Sequence, residues 1–181
     1  MKIWSQTYYL RAWQFAAEAH QGQTVPGTAL PYIVHIASVA MEVMTAISQS
    51  EVERDADLAV QCALLHDTLE DTSISRTQLA DVFGEAVTAG VTALSKNPDI
   101  PDKRSRMRDS LTRIRQQSQE IWMVKLADRI TNLQPPPAHW NADKIQNYRD
   151  EASEILISLG EADDYLATRL QEKITQYPDN A

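Results

Sequence analysis

Ala63-Leu64-Leu65-His66-Asp67 decides how this chain is read, because it sets an imidazole and a carboxylate side by side at the end of an apolar run. The run, Leu58 to Leu69, has the three- and four-residue spacing of a helix and is nearly all apolar on its inner side. A buried helix seldom spends two ionisable residues together. Desolvating them costs several kcal/mol unless they are paired or bind a metal.

The same period extends outward in both directions. Tyr9, Ala12, Trp13, Ala16 and Ala17 form a stripe before the turn cluster Gly22 to Pro31, and Ile33 to Ile47 is a second segment. Ser73-Ile74-Ser75 offers a helix start, and Leu79, Val82 and Phe83 carry a short amphipathic turn that stops at Gly84. Glu85 to Lys96 follows and is closed by Asn97-Pro98-Asp99. Residues 102–118 read as a surface-lying helix punctuated by Met107, Leu111 and Ile114. Glu120 to Leu133 is halted by Pro135-Pro136-Pro137, and Lys144 to Leu159 and Asp163 to Tyr177 finish the chain. No stretch shows two-residue alternation. The expectation is an all-α bundle of about eight or nine helices.

Composition narrows the function classes. The 181 residues, at roughly 150 per domain, predict a single domain over 1–181, with a core at about 9–134 and C-terminal helices at about 142–177 packing on it. One cysteine, Cys62, forbids an internal disulfide framework, and with no apolar leader this points to the cytoplasm. No run approaches the roughly 18 apolar residues that span a bilayer. The net charge of −8 argues against a nucleic-acid polymer as partner, whose backbone needs a basic surface. A small phosphorylated ligand stays compatible with it, because a metal or a few cations can reverse the sign inside a cleft. A homo-oligomer is left open.

The oddity at His66-Asp67 recurs twice. Asp128 follows the apolar Ile121-Trp122-Met123-Val124, and His35 opens an apolar helix after Pro31-Tyr32. Each piece alone has an ordinary explanation: a satisfied core histidine, a helix-terminal ion pair, an acid bridged by Lys125 or Arg129. Together, His35, His66, Asp67 and Asp128 supply two nitrogens and two carboxylates, a set suited to Mn²⁺, Fe²⁺, Co²⁺, Ni²⁺ or Zn²⁺ with positions left for water and substrate.

That order of ligands resembles the HD-domain metal-dependent phosphohydrolases. Leu64-Leu65-His66-Asp67-Thr68-Leu69-Glu70-Asp71-Thr72-Ser73 resembles the hydrolase signature of the RelA/SpoT homologue group. Phe83-Gly84-Glu85-Ala86-Val87, Val91-Thr92-Ala93-Leu94-Ser95-Lys96 and Lys125-Leu126-Ala127-Asp128-Arg129-Ile130-Thr131-Asn132-Leu133 follow in that group's order. Upstream, Ala19-His20-Gln21-Gly22-Gln23 and Pro31-Tyr32-Ile33-Val34-His35 complete the set. The length leaves room for neither a synthetase nor a regulatory domain, so the resemblance is to a stand-alone small alarmone hydrolase. It implies hydrolysis of the 3′-pyrophosphate of (p)ppGpp-like purine nucleotides, usually with Mn²⁺, and assigns Glu70 and Asp71 to catalysis.

The residues fit that chemistry. Glu70 and Asp71 lie four positions after His66 and Asp67, so an unbroken helix projects each acid from the same face as a ligand. A carboxylate pair there can orient and deprotonate a water. Asn132, four residues after Asp128, shares its face and can hydrogen-bond ribose or phosphate. Lys125, Arg129 and Lys144 are candidates to meet phosphate charge, with Tyr148 beside them as a phosphate or base contact.

The chain also departs from the family pattern. Gln23 to Leu30 carries no basic residue where many of these hydrolases have an Arg-Lys pair. Ile36 replaces the proline after the first histidine, and Gln134-Pro135 stands where Arg-Thr is usual. Guanine specificity is therefore less secure than the pyrophosphohydrolase chemistry, and (p)ppApp stays open as a substrate. Two alternatives are a nucleotide-binding regulator or antitoxin-like partner with little turnover, and an HD phosphohydrolase of other nucleotides.

Overall fold

Short polar side chains set where the helices start. Ser5 accepts from the Tyr8 amide to open α1 (Gln6–Ala19), and Asp55 accepts from Leu58 to open α3 (Ala56–Leu65). Ser75 and Gln78 make a reciprocal capping box at the head of α5 (Arg76–Leu94). Asp102 caps α6 (Lys103–Arg115), Asn141 caps α8 (Ala142–Leu159), and Asp163 caps α9 (Asp164–Gln176). With α2 (Ile33–Gln49), α4 (Thr68–Asp71) and α7 (Gln119–Asn132), the computed structural model has nine α-helices and no strand over the residues it describes, 4–178. One isolated antiparallel bridge joins Thr24 to Pro31 in the loop between α1 and α2.

The fold is built around α2, α3 and α7, which pack on one another. In α3 all but three residues are buried, and in α7 every residue from Ile121 to Ile130 is buried, polar ones included. A helix covered on all sides must be an inner one. α1 covers α3 from outside, α8 and α9 cover α7, and the α5–α6 pair lies over α3 and α7. Glu42, 3% exposed, ties α2 to α9 through two 2.6 Å bonds from Arg169. A fork of this kind satisfies both carboxylate oxygens and so offsets their burial.

Two sequence readings needed correction or refinement. The apolar run from Leu58 does not continue as one helix to Leu69: α3 ends at Leu65, and α4 begins anew at Thr68. Side-chain hydrogen bonds accompany the break. His66 Nδ1 donates to the Ala63 carbonyl at 2.8 Å and Thr68 Oγ1 to the Leu65 carbonyl at 2.6 Å, so these acceptors are engaged by side chains. Gly84, read as a stop, is a sharp joint inside α5, with φ 81° and ψ 172° and helix on both sides. Met107, Leu111 and Ile114 of α6 are buried, as their spacing predicts.

Gly90 of α5 packs directly against Ile121 of α7. A Cβ there would lie 2.5 Å from Ile121 Cδ1 and 2.9 Å from Cys62 Sγ, and both side chains are buried. Gly90→Ala gains less than about 1 kcal/mol of helix propensity but overpacks at a cost of about 1–3 kcal/mol. The expected outcome is a net loss in urea unfolding, whereas a gain would show that this contact relaxes freely.

Candidate metal centre

Three inner helices each deliver a donor to one point. His35, in the first turn of α2, and His66, just past the end of α3, face each other with their Nε2 atoms 3.3 Å apart. Asp128, on α7, brings Oδ1 to 3.6 Å from His35 Nε2 and 3.9 Å from His66 Nε2. Donor atoms of these three buried residues all lie within 4.8 Å of one another. Asp67 joins from the edge, its Oδ2 3.0 Å from His66 Nε2 and 3.7 Å from His35 Nε2.

The donors are oriented by their neighbours. The Ala63 carbonyl can only accept, so His66 Nδ1 carries a proton and, in the neutral ring, Nε2 presents a lone pair to the centre. Asp128 Oδ2 accepts from Lys125 Nζ at 2.9 Å, while Oδ1 accepts from the Asn132 amide. Tyr32 donates its hydroxyl to Asp67 Oδ2 at 2.5 Å. Burial and Asp67 together push the Tyr32 pKa far up, which keeps that proton on the donor side.

The electrostatics favour positive charge at this point. Burial opposes charging of His66, yet Asp67 and Asp128 outweigh it and lift its pKa to about 9. For His35 burial dominates and holds the pKa down. Burial works against the Asp128 carboxylate, but Lys125 and the histidines bring its pKa to about 2, and Asp67 lies well below the usual carboxylate range, chiefly through His66. Two ionised carboxylates beside two imidazoles, once His66 gives up its Nε2 proton, are the donor chemistry of a divalent first-row cation.

Glu70 and Asp71 line the same small cavity, about 120 Å³, with Tyr32, His66, Asp67, Leu94, Lys96, Lys125, Asp128 and Asn132. They arrive there on α4, although the unbroken register expected from the sequence is absent. Glu70 is held by the Lys96 amide at 2.8 Å and Lys96 Nζ at 2.6 Å. Asp71 is exposed at the cavity rim, and partial desolvation, then Asp67 and Glu70, raise its pKa.

The expected substrate contacts divide. Lys125 and Asn132 line the small cavity, each already bonded to Asp128. Lys144 and Tyr148 line a second cavity of about 700 Å³ that also takes in Lys103 and Arg104. The Lys144 ammonium sits 4.3 Å from the centre of the Trp140 ring. Arg129 is buried against Tyr148, its guanidinium 4.5 Å from the ring centre, with Glu151 3.5 Å away. Sequence reasoning did not single out Tyr32 or Lys96 as site residues. Their only sequence signal was membership in the motifs around His35 and Leu94, because a hydrogen bond across 35 or 26 positions has no periodicity to betray it.

Comparison with known proteins places these features in context. The family described as HD domain matches residues 12–172. Guanosine-3′,5′-bis(diphosphate) 3′-pyrophosphohydrolase MESH1 of Danio rerio is 32% identical over 179 residues, covering 95% of each chain. The Homo sapiens protein of the same name is 30% identical, covering 83% of each. The solved structure of a metazoan orthologue of SpoT superposes with a TM-score of 0.81 at 23% identity, covering 97% of this chain and 98% of the other. At that identity the superposition speaks for the fold.

Removing a donor and loosening one should give different results. His66→Ala and Asp128→Ala are expected to abolish tight Mn²⁺ binding in calorimetric titration. Tyr32→Phe, which keeps every donor but frees Asp67, should retain binding weakened about 10- to 100-fold.

Proposed function

The chain belongs to the HD domain family, and from that premise we propose that it is a metal-dependent 3′-pyrophosphohydrolase of guanosine-3′,5′-bis(diphosphate) or a close purine analogue such as (p)ppApp. The reaction releases pyrophosphate and leaves the 5′-nucleotide. The observation that carries this reading is one small cavity where His66 and Asp128, which with His35 form the buried donor cluster, meet a separate acid pair, Glu70 and Asp71. A site that only binds has no chemical need for the second pair. The relatives at 30–32% identity carry the name of this activity.

His35, His66, Asp67 and Asp128 are the residues that would hold the metal, with Mn²⁺ the expected ion. Bound there, the ion supplies a Lewis acid for a phosphate oxygen and lowers the pKa of a water. The protein's own residues do the rest. Asp71 takes the proton of the attacking water at its carboxylate. Glu70, fixed by two Lys96 donors, orients that water and keeps its oxygens from turning away. Attack falls on the phosphorus bonded to ribose O3′, and the bond between them breaks with its electron pair going to O3′. O3′ becomes a hydroxyl by taking a proton from solvent, to which Asp71 in turn gives up the proton it took from the water.

Lys96 and Lys125 line the small cavity and offset the charge of the 3′-phosphates, with Asn132 a donor to the ribose or a phosphate oxygen. The small cavity has no room for a nucleoside. The larger one does, and Tyr148 and Lys144 present an aromatic face and a cation in it. Arg129 supports the Tyr148 ring from behind. We propose a small nucleotide as partner and the cytoplasm as the place of work; no described helix is long and apolar enough to cross a membrane.

Glu70→Gln and Asp71→Asn should each lower kcat by about 10²- to 10⁴-fold while Mn²⁺ content stays at one per chain. The assay is pyrophosphate release by Mn²⁺-loaded protein over ppGpp, pppGpp, ppApp, cyclic dinucleotides and 5′-nucleotides. Turnover confined to the 3′-diphosphates is the expected result. Turnover of none of the panel would overturn the proposal.

A further inference from the structure

Asp71 is the last residue of α4, a helix of four residues and too short to hold its own geometry. Its carbonyl lies past the end of the helical bonding pattern and is left to a partner outside the helix, water or a side chain. That partner is Gln23 Nε2, at 2.7 Å, from a loop 48 positions upstream. A carbonyl only accepts, so the Gln23 amide must turn its nitrogen to Asp71 and its Oε1 to His20 Nδ1, 2.8 Å away. His20 Nδ1 therefore carries a proton and donates.

The rest of the loop is equally committed. The Gln23 N–H donates to the His20 carbonyl at 3.0 Å, and its carbonyl accepts from the Tyr32 amide at 2.9 Å. All four polar groups of Gln23 are thus in use. His20 is 3% exposed, its Nε2 is buried without a hydrogen-bond partner, and its ring lies 5.0 Å from that of Tyr32, the donor to Asp67. One side chain must accept from a ring N–H and donate to a backbone carbonyl at once. Among the standard side chains of this length only an amide does both.

We propose that His20 and Gln23 are positioning residues, a relay from His20 Nδ1–H through the Gln23 amide to the Asp71 carbonyl that sets where the Asp71 carboxylate stands. What Asp71 does from there rests on the hydrolase reading above. The relay does not touch the reacting atoms. It acts by denying α4 the freedom to fray.

The test pairs kinetics with hydrogen–deuterium exchange on the full-length, Mn²⁺-loaded protein. His20→Ala and Gln23→Glu should each lower kcat by up to about 100-fold, the loss that an ångström-scale misplacement brings, with KM and Mn²⁺ content unchanged. The backbone amides of residues 68–73 should exchange faster in both, with the rest of the protein unaltered. His20→Asn places an amide N–H near the Nδ1 position and should restore both readouts, which a purely packing role would not allow. Unchanged exchange at 68–73 in His20→Ala and Gln23→Glu, an Asn variant no better than Ala, or faster exchange throughout the protein would each overturn the relay. Should the wild type release no pyrophosphate from ppGpp, the hydrolase reading fails by itself, and the exchange comparison still decides on the relay.

Discussion

The convergence of His35 Nε2, His66 Nε2 and Asp128 Oδ1 within 4.8 Å is the constraint on which the rest of the structure depends. Three helices separated by long stretches of sequence must meet at their polar residues, in a place dry enough to make that meeting costly. The cost is offset by neighbours that use up the remaining polar atoms: Ala63 for His66, Lys125 and Asn132 for Asp128, and Tyr32 for Asp67. Each orients a donor as well as satisfying it. The upward shift of His66 reflects the negative charge of Asp67 and Asp128 beside it, which favours a cation at this point.

The break between α3 and α4 follows from the same constraint. A helix running straight through His66 and Asp67 would keep the backbone carbonyls to itself. Here His66 and Thr68 take two of them with side chains, the helix ends at Leu65, and α4 starts again at Thr68. The acids on α4 are then set by tertiary contacts, with Lys96 holding Glu70 and Gln23 holding the Asp71 carbonyl. A four-residue helix is a pliant mount that becomes a fixed one only through its partners.

Charge is handled locally across the whole site. A chain of net charge −8 still brings Lys96 and Lys125 to the small cavity and Lys103, Arg104 and Lys144 to the larger one. Most of these cations already have a partner: Glu70 for Lys96, Asp128 for Lys125, Glu151 for Lys103, and the Trp140 ring for Lys144. Those partners hold the cations in place around the two cavities.

By itself the sequence determined the all-α class, the order of the helices and the His35, His66 and Asp128 that the fold brings together. Helical periodicity is a local property, and two ionisable residues beside an apolar run are conspicuous wherever they fall. The helix start at Ser73-Ile74-Ser75 and the buried face of Met107, Leu111 and Ile114 were legible for the same reason. What only the tertiary structure decided is which partners complete those residues. Asn132 bonds to Asp128, Arg129 lies against Tyr148, and Gln23 reaches Asp71. Such contacts depend on side-chain direction after the helices have packed, and neither spacing nor composition encodes direction across a fold.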